Sequence, residues 1–389
     1  MLTPAVAAAV HPQTSVHVWD PSPARLAGLA SVARDAALSN LVIQERPGPP
    51  DESIVSPCDL VVVDGVLDSS DPARRDQVLD AACSLLRPGA LMAVAYRTVV
   101  GWGEVVPLVR LLRHRVRLGQ RKSSEVLAPL EGLRAHGAAY PAVRPAVGAW
   151  LDDLLDAPSD EVVGSYLADD LRPASHAQVS EALAAHAVDF VSLAQQYDPL
   201  EGAPPVVAQR VRAAASVVLR ETLADLAIRR TARVDVYRLG RCPVEESVRN
   251  AAVLGTSVME TRLAVAETVG VPWARPVALR ECLPTDGSSS SDLQRGGSCV
   301  RELWPGESAL NQERLAGQAL AAGSIHPVRD ELPDGAAEST VRLTATLLRS
   351  TRPEQDRFAV SARLGTALPA TYTHSLSLEH RHALGIGAS

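Results

Sequence analysis

The residues best placed to do chemistry follow four apolar segments near the start of the chain. Each segment is short and rich in Val, Leu or Ala, which is typical of strands in an α/β sheet. In open α/β sheets ligands lie beyond the carboxyl ends of the strands, so the side chains after these segments form the candidate site. They are Asp20 with Ser22, Gln44 with Glu45, Asp64 with Gly65 and Val66, and Tyr96.

These residue types suit the binding of a ligand that contains a nucleoside. A carboxylate after a strand, such as Asp20, can accept hydrogen bonds from both hydroxyls of a ribose, and Gln44 or Glu45 could meet an adenine edge. Gly65 would let the backbone approach a ligand closely, and Tyr96 could orient a nucleophile. Plainer interpretations stay open, because an acid after a strand often only caps the next helix and a tyrosine there is often a core residue.

Helices alternate with these segments, and the alternation predicts a parallel α/β sheet. The run DLVVVDGV is almost continuously apolar, which indicates a fully buried strand. Ser22 before Pro23 predicts an N-cap followed by the first helical residue. The predicted strands are 15–19, 41–44, 59–66 and 90–98, and the predicted helices are 3–10, 23–37 and 73–86.

A mainly helical region follows at residues 104–157 and contains the arginine-rich run RLLRHRVRLGQRK. A basic helix face is most often simply solvated; the alternative is that it covers an acidic partner or the edge of a cofactor. Farther on, the pattern predicts a helix and then a strand at 176–195, one long amphipathic helix at 205–229 and a strand in ARVDVYRLG. The α/β unit is therefore expected to continue to about residue 240, with the helical block inserted in it.

Composition limits the classes of partner. The 389 residues carry a formal net charge of −7 and only 3% aromatic side chains, which argues against nucleic acid and against an anionic membrane surface. Five scattered cysteines without CxxC spacing favour buried free thiols over zinc or disulfides, so we expect no metal. The N-terminus lacks a basic, then apolar leader, and no apolar run approaches the roughly 20 residues of a membrane span, so we expect a soluble, cytoplasmic protein.

The order of four segments resembles a known enzyme family. VHVWDPSP, LVIQE, CDLVVVDGV and LLRPGALMAVAYRTVVGW look like the class I methyltransferases that use S-adenosylmethionine. The resemblance is closer to a branch in which a SYNTLPGW-like segment, here AYRTVVGW, leads into a helical methyltransferase regulatory domain. YLADDLRPASHAQV and AVDFVSLA are similar to later segments of that branch, and rickettsial protein-lysine methyltransferases share this layout. The resemblance covers most of residues 1–240 and implies a Rossmann-like methyltransferase sheet.

The resemblance implies a cofactor-binding role for the first candidate residues. Asp20, with Ser22 beside it, matches the acid that binds the ribose of S-adenosylmethionine. Gln44 or Glu45 lies near the position that contacts adenine, although the usual Asp is absent there.

The later candidate residues match the boundary between cofactor and substrate. Asp64, Gly65 and Val66 correspond to an HGV stretch of the family, with Asp64 in place of the histidine. Tyr96 is retained and is the candidate catalytic residue.

The first strand of this fold and its glycine turn have no counterpart before SVHVWD. Fourteen residues precede that strand, and none is glycine. In the family the first strand lies at the centre of the sheet, and its turn approaches the methionine part of the cofactor. Three explanations stay open: the true start lies upstream, the protein is a degenerate homologue kept for binding, or another segment fills the gap.

The predicted organisation is a partial core at 1–103, a regulatory region at 104–240 and a small α+β C-terminal domain at 241–389. Residues 308–327 have the pattern of a helix, a glycine cap and a short strand, which resembles half of a winged-helix unit. A metal site at His374, His380 and His382 is disfavoured, because no acid or cysteine lies at a clear ligand spacing.

We expect transfer of a methyl group from S-adenosylmethionine to a protein, with lysine as one acceptor, or to a small molecule. The alternative is a catalytically inactive methyltransferase homologue with a binding or regulatory role. A third and weaker alternative is an enzyme that uses a nicotinamide cofactor, with Asp20 binding the ribose of that cofactor. The expected partner is the methyl acceptor; a second copy of the chain, in a homodimer, is an open alternative.

Overall fold

The computed structural model describes two compact units. The first comprises residues 1–55, 196–198 and 243–389, and the second comprises 56–195 and 199–242. The residues that the structure describes are 3–20, 22–44, 57–67, 72–119, 122–156, 171–194, 200, 203–240, 257–260, 298–303, 306–309, 311–312, 315–316, 325–327, 334–348, 358–361 and 366–369.

The first unit begins with two helix–strand pairs. These are α1 (Thr3–Val10), β1 (Val16–Val18), α2 (Pro23–Asp35) and β2 (Leu41–Ile43), and β1 pairs with β2 in parallel. Ser22 caps α2, because its Oγ accepts a hydrogen bond from the backbone N–H of Arg25 at 3.4 Å. The predicted elements of this segment are confirmed, including the Ser22 cap.

The second unit is built on a four-stranded sheet. Its strands are β3 (Cys58–Asp64), β4 (Leu86–Arg97), β5 (Val188–Leu193) and β6 (Ala232–Leu239), and α3 (Pro72–Ser84) connects the first two. The spatial order is β3-β4-β6-β5; β3 and β4 are parallel, whereas β6 runs antiparallel to both β4 and β5. The predicted parallel arrangement is confirmed for β1 with β2 and for β3 with β4.

Strand β3 is less buried than its apolar sequence predicts. Leu60 and Val62 are 56% and 57% exposed, whereas Val63 is buried. Among the described residues β3 pairs only with β4, which makes it an edge strand there. Leu60 and Val62 are two residues apart and therefore lie on the same face, and that face lacks cover. The prediction of a fully buried strand is therefore wrong.

A block of helices follows the sheet's second strand, as the sequence predicted. It consists of α4 (Val99–Trp102), α5 (Val106–Arg117), α6 (Ser123–Ala135), α7 (Ala139–Ala142) and α8 (Pro145–Asp156). Apolar side chains from three of these helices, such as Leu112, Leu127 and Leu151, are fully buried in one cluster. The block therefore has a core of its own, next to the sheet.

Three further helices accompany strands β5 and β6. They are α9 (His176–Ala184), α10 (Pro205–Arg212) and α11 (Val217–Ile228). The prediction of one long helix at 205–229 is wrong, because one helix ends at Arg212 and a second begins at Val217, with Ser216 as its N-cap. Ser216 Oγ accepts a hydrogen bond from the backbone N–H of Leu219 at 3.1 Å, which is the cap of a new helix.

The described C-terminal elements belong to the first unit. They are β7 (Ser257–Glu260), β8 (Ser298–Cys299), α12 (Val300–Leu303), β9 (Ile325–Pro327), α13 (Ala336–Leu348), β10 (Phe358–Ser361) and β11 (Thr366–Pro369). β7 pairs antiparallel with β8 and β9, and β10 with β11. Much of 308–327 lies outside the described residues, so the winged-helix resemblance stays a prediction.

The compact units do not follow the predicted domain borders. Residues 1–55 and 56–103, placed together in one partial core, cluster into different units. Helix α13 packs on the N-terminal helices: Leu343 shares a buried cluster with α1, and Arg342 Nε donates to the Ala36 carbonyl at 3.2 Å. The borders at 103 and 240 stay a prediction.

Candidate functional site

Asp20 lies two residues beyond the last residue of β1 and is held by the start of α2. Its Oδ1 accepts a hydrogen bond from the backbone N–H of Ser22 at 2.7 Å and lies 3.5 Å from Arg25 Nε. The side chain is 24% exposed. Asp20 makes no other hydrogen bond among the described residues, so Oδ2 remains available to an external donor. The plain capping role and a ligand-binding role are therefore compatible, because they use different oxygens.

The end of β2 is described only in part. The backbone N–H of Gln44 donates to the Val18 carbonyl at 2.9 Å, which extends the pairing of β1 with β2 by one bond. The Gln44 side chain is half-buried. Glu45 lies outside the described residues, and its proposed contact with adenine stays a prediction.

The carboxyl end of β3 forms an exposed turn. Asp64 and Gly65 are exposed and Val66 is half-buried. Gly65 has a φ of +66°, and a Cβ added there would meet no protein atom within 4 Å. Backbone conformation therefore requires the glycine, and the space beside it is open for a ligand.

Tyr96, near the end of β4, is buried rather than exposed. Its side chain is 3% exposed, and its hydroxyl donates to Asp235 Oδ2 at 2.6 Å. The same carboxylate oxygen accepts from His176 Nδ1 at 2.9 Å and from the Tyr237 hydroxyl at 3.3 Å. Its other oxygen accepts from Arg233 Nε at 2.8 Å. Asp235 therefore satisfies four donors, and Tyr96 is one of them.

The strand register explains why these groups meet. Tyr96 pairs with Arg233 and Met92 with Tyr237 across the β4–β6 ladder, so the side chains of Tyr96, Arg233, Asp235 and Tyr237 share one face. His176 on α9 covers that face and is fully buried. The result is a buried polar cluster centred on Asp235.

A second carboxylate extends this cluster toward α11. Asp225 Oδ1 accepts from Arg233 Nη1 at 2.6 Å and from Arg230 Nε at 2.8 Å. Arg233 Nη2 donates to Glu221 at 3.1 Å. The fully buried guanidinium of Arg233 is thus paired on three sides, as the cost of burying a charge requires.

Burial and pairing act in opposite directions on these ionisable groups. Burial works to raise the pKa of Asp235, but the hydrogen bond from His176, the charge of Arg233 and the hydroxyl of Tyr96 outweigh it and hold that pKa below its usual range. Burial, followed by the negative charge of Asp235, raises the pKa of Tyr96. Asp235 is therefore ionised and Tyr96 is a neutral donor, a poor arrangement for a general base.

This cluster is not among the residues predicted from the sequence, although the strand ARVDVYRLG is. Arg233 and Asp235 are two residues apart in that strand, so they had to share a face between apolar neighbours. His176 and Asp225 gave no signal, because only the packing of α9 and α11 onto the sheet brings them there.

The AYRTVVGW segment leads from the end of β4 into the short helix α4, and Thr98 and Gly101 are its buried residues at this junction. Thr98 caps α4, with Oγ1 accepting from the Gly101 N–H at 3.1 Å. A Cβ at Gly101 would collide with the backbone of Thr231, so this glycine is required by close packing. The guanidinium of Arg97 lies 4.9 Å from the centre of the Trp102 ring. These contacts hold the end of β4 against the residues that precede β6.

The described residues contain no group of three or more His, Cys, Asp or Glu side chains arranged to hold a metal ion. His374, His380 and His382 lie outside them. Burial, with the charge of Asp80, raises the pKa of the Cys83 thiol to about 11, so this cysteine is a poor nucleophile. None of the described helices is long and apolar enough to cross a membrane.

The residues at the end of β1 fit a ribose-containing ligand. Asp20 Oδ2 is an acceptor without a hydrogen bond among the described residues. The neighbouring Trp19 has a buried indole Nε1 that finds no acceptor in the same part of the chain. Asp20, Ser22 and Gln44 belong to the first unit, and Asp64 to Val66 and Tyr96 belong to the second, so the structure assembles each group by itself.

Comparison with known proteins gives a match of fold. No protein-family model matches the chain, and no curated protein matches it. The structure of PKMT2 from Rickettsia typhi is similar with a TM-score of 0.66 at 13% identity, over 93% of this chain and 76% of that one. PKMT2 in complex with AdoHcy has a TM-score of 0.68 at 14% identity, over 93% and 77%. This chain therefore has the α/β fold of the PKMT2 methyltransferase structures.

Proposed function

We propose that this protein binds S-adenosylmethionine and transfers its methyl group to a lysine of a protein. The observation that carries the proposal is the fold, which is similar over 93% of the chain to a methyltransferase structure that contains AdoHcy. Asp20 supports it, since its partly exposed side chain keeps Oδ2 without a hydrogen bond among the described residues, at a strand end where α/β folds bind a ribose. In this proposal residues 104–240 form the regulatory region.

The chain's own residues bind and orient rather than exchange protons. Asp20 Oδ2 would accept from the ribose hydroxyls, while Ser22 and Arg25 hold the other oxygen of the same carboxylate. The exposed turn at Gly65 leaves room for a ligand beside the backbone. S-adenosylmethionine supplies the activated methyl group when it is bound. Alignment of the acceptor and exclusion of water then account for most of what the protein adds, which can reach several kcal/mol.

A second candidate is a binding protein that has kept the fold without the catalysis. One observation favours it: the hydroxyl of Tyr96 is buried and donates a hydrogen bond to Asp235, so it is not available to orient a methyl acceptor. Asp64, at the position where the family resemblance has histidine, points the same way. Such a protein would bind the adenosyl ligand and leave it unchanged.

The binding claim can be tested by isothermal titration calorimetry with S-adenosylmethionine and S-adenosylhomocysteine. We expect binding of both, and none of NAD, which is the ligand of the third alternative. The absence of heat with both adenosyl ligands would remove the proposal.

Transfer of radiolabelled methyl groups to lysine-containing peptides then separates the two candidates. Labelled peptide supports the enzyme. Binding without labelling of any peptide or of the protein itself supports the inactive homologue.

A further inference from the structure

The outer face of α5 carries a stripe of basic side chains. They recur at intervals of three and four residues, which places them on one side of a helix. We call them the basic stripe: Arg110, Arg113, His114 and Arg117. They line a groove of about 320 Å³. The opposite side of α5 is anchored, because Leu108, Val109 and Leu112 are buried in the core of the helical block.

Most of the stripe is without a counter-charge. Arg110, His114 and Arg117 are exposed and form no ion pair or side-chain hydrogen bond within the part of the chain that the structure describes. Nearby arginines behave differently. Arg134 makes two hydrogen bonds with Asp152, at 2.6 and 2.7 Å, and Arg115 donates to the Glu125 carbonyl at 2.9 Å. The exposure of the stripe is therefore a local property, in a chain with a formal net charge of −7.

Helix electrostatics explain only part of the pattern. His114 and Arg117 lie in the last turn of α5, where positive charge interacts favourably with the helix dipole. Arg110 and Arg113 lie before that turn, where this effect has faded. The helix dipole therefore accounts for the positions of His114 and Arg117 but not for those of Arg110 and Arg113.

We propose that the basic stripe docks an acidic segment of a protein partner. Guanidinium groups bind carboxylates through paired hydrogen bonds, which suits a peptide rich in Asp and Glu. From Arg110 to Arg117 the stripe spans about 10 Å, the length of a short peptide segment. The acidic net charge and the 3% aromatic content argue against a long nucleic acid as the occupant. This docking does not depend on methyl transfer.

Fluorescence anisotropy with a labelled oligoglutamate peptide tests the proposal on the full chain. We expect binding that weakens as salt is added, because the contacts are exposed charges. The double variant Arg110→Gln/Arg117→Gln should weaken binding about tenfold, as expected for the loss of two exposed charge pairs. Both residues are exposed, so the fold should persist, and circular dichroism checks this.

A matched control separates the stripe from overall charge. Arg34→Gln/Arg210→Gln removes the same two charges from exposed positions on α2 and α10 and should leave the affinity within about twofold. Equal weakening by the two double variants would overturn the proposal. Tighter binding of an oligothymidylate than of oligoglutamate would also overturn it in favour of nucleic acid, and preference for phosphatidylserine vesicles would do so in favour of a membrane surface.

Discussion

The carboxyl ends of β1 and β4 place their side chains in opposite environments, one strand lying in a two-stranded sheet and the other inside a four-stranded sheet. At the end of β1, Asp20 is held through one oxygen and keeps the other for an external donor. At the end of β4, Tyr96 is buried and its hydroxyl is used inside the protein. A strand end is therefore a place where a ligand can bind, and burial decides whether the side chain is available to it.

At the end of β4, buried carboxylates and guanidinium groups neutralise one another. Asp235 and Asp225 face Arg233 and Arg230, and each carboxylate accepts more than one hydrogen bond. Removing one partner of such a group leaves a buried charge unpaired, which destabilises the fold more than replacing both partners with apolar residues. Substitutions at each strand end therefore test this contrast.

The largest effect is expected from Asp235→Ala. It leaves Arg233 without one of its carboxylates and removes the acceptor of Tyr96 and His176, so we expect a loss of about 3–5 kcal/mol in the free energy of unfolding. Urea unfolding followed by circular dichroism measures it. The solvent-exposed ion pair between Arg134 and Asp152 offers a control. Asp152→Ala should lower the free energy of unfolding by about 0.2–1 kcal/mol. Equal losses from the two substitutions would contradict the burial and mutual pairing of the charges around Asp235.

Acid should weaken the second unit by a smaller amount, because protonation leaves the carboxyl group of Asp235 in place. The pKa of this residue is lower in the folded protein than in the unfolded chain. Its contribution is therefore present above about pH 4 and is lost as the pH falls through the folded value. Urea unfolding at a series of pH values should show this fall in the wild type and a shallower one in Asp235→Asn. Identical slopes would contradict the assignment.

Tyr96→Phe should have a moderate effect on stability. It removes one hydrogen bond to a charged acceptor, worth about 1.5–3 kcal/mol. Tyr140→Phe, which removes a bond to the neutral carbonyl of Glu104, should cost about 0.5–1.5 kcal/mol. If Tyr96 is catalytic, methyl transfer will also fall by more than the loss of folded protein explains, while binding of the cofactor stays the same.

The smallest effect is expected from Asp20→Asn, and it should appear in ligand binding. The affinity for S-adenosylhomocysteine should fall about tenfold, because a ribose hydroxyl loses a charged acceptor. Unfolding should hardly change, since an amide oxygen can still accept from the Ser22 N–H. Calorimetry measures the first quantity, with Asp35→Asn at the exposed end of α2 as a control of equal charge. An unchanged affinity would remove Asp20 from the site.

Local patterns predicted most elements but not all of their burial. Ser22, Pro23 and the apolar periodicity placed α2 correctly, because caps and helical faces depend on near neighbours. The prediction of a single helix at 205–229 was wrong, because the amphipathic pattern is continuous across Ser216 and hides the cap of a second helix. Strand β3 is less buried than predicted, because an apolar run does not reveal what packs against each face of the strand.

The candidate site divides in the same way. Polar residues after the apolar strands, Asp20 and the Ser22 cap can all be recognised in the sequence. The burial of Tyr96 depends on the folded chain, because its partner Asp235 is 139 residues away. Hydrogen bonds between distant segments depend on strand register and helix packing, and these follow from the whole core rather than from any local pattern.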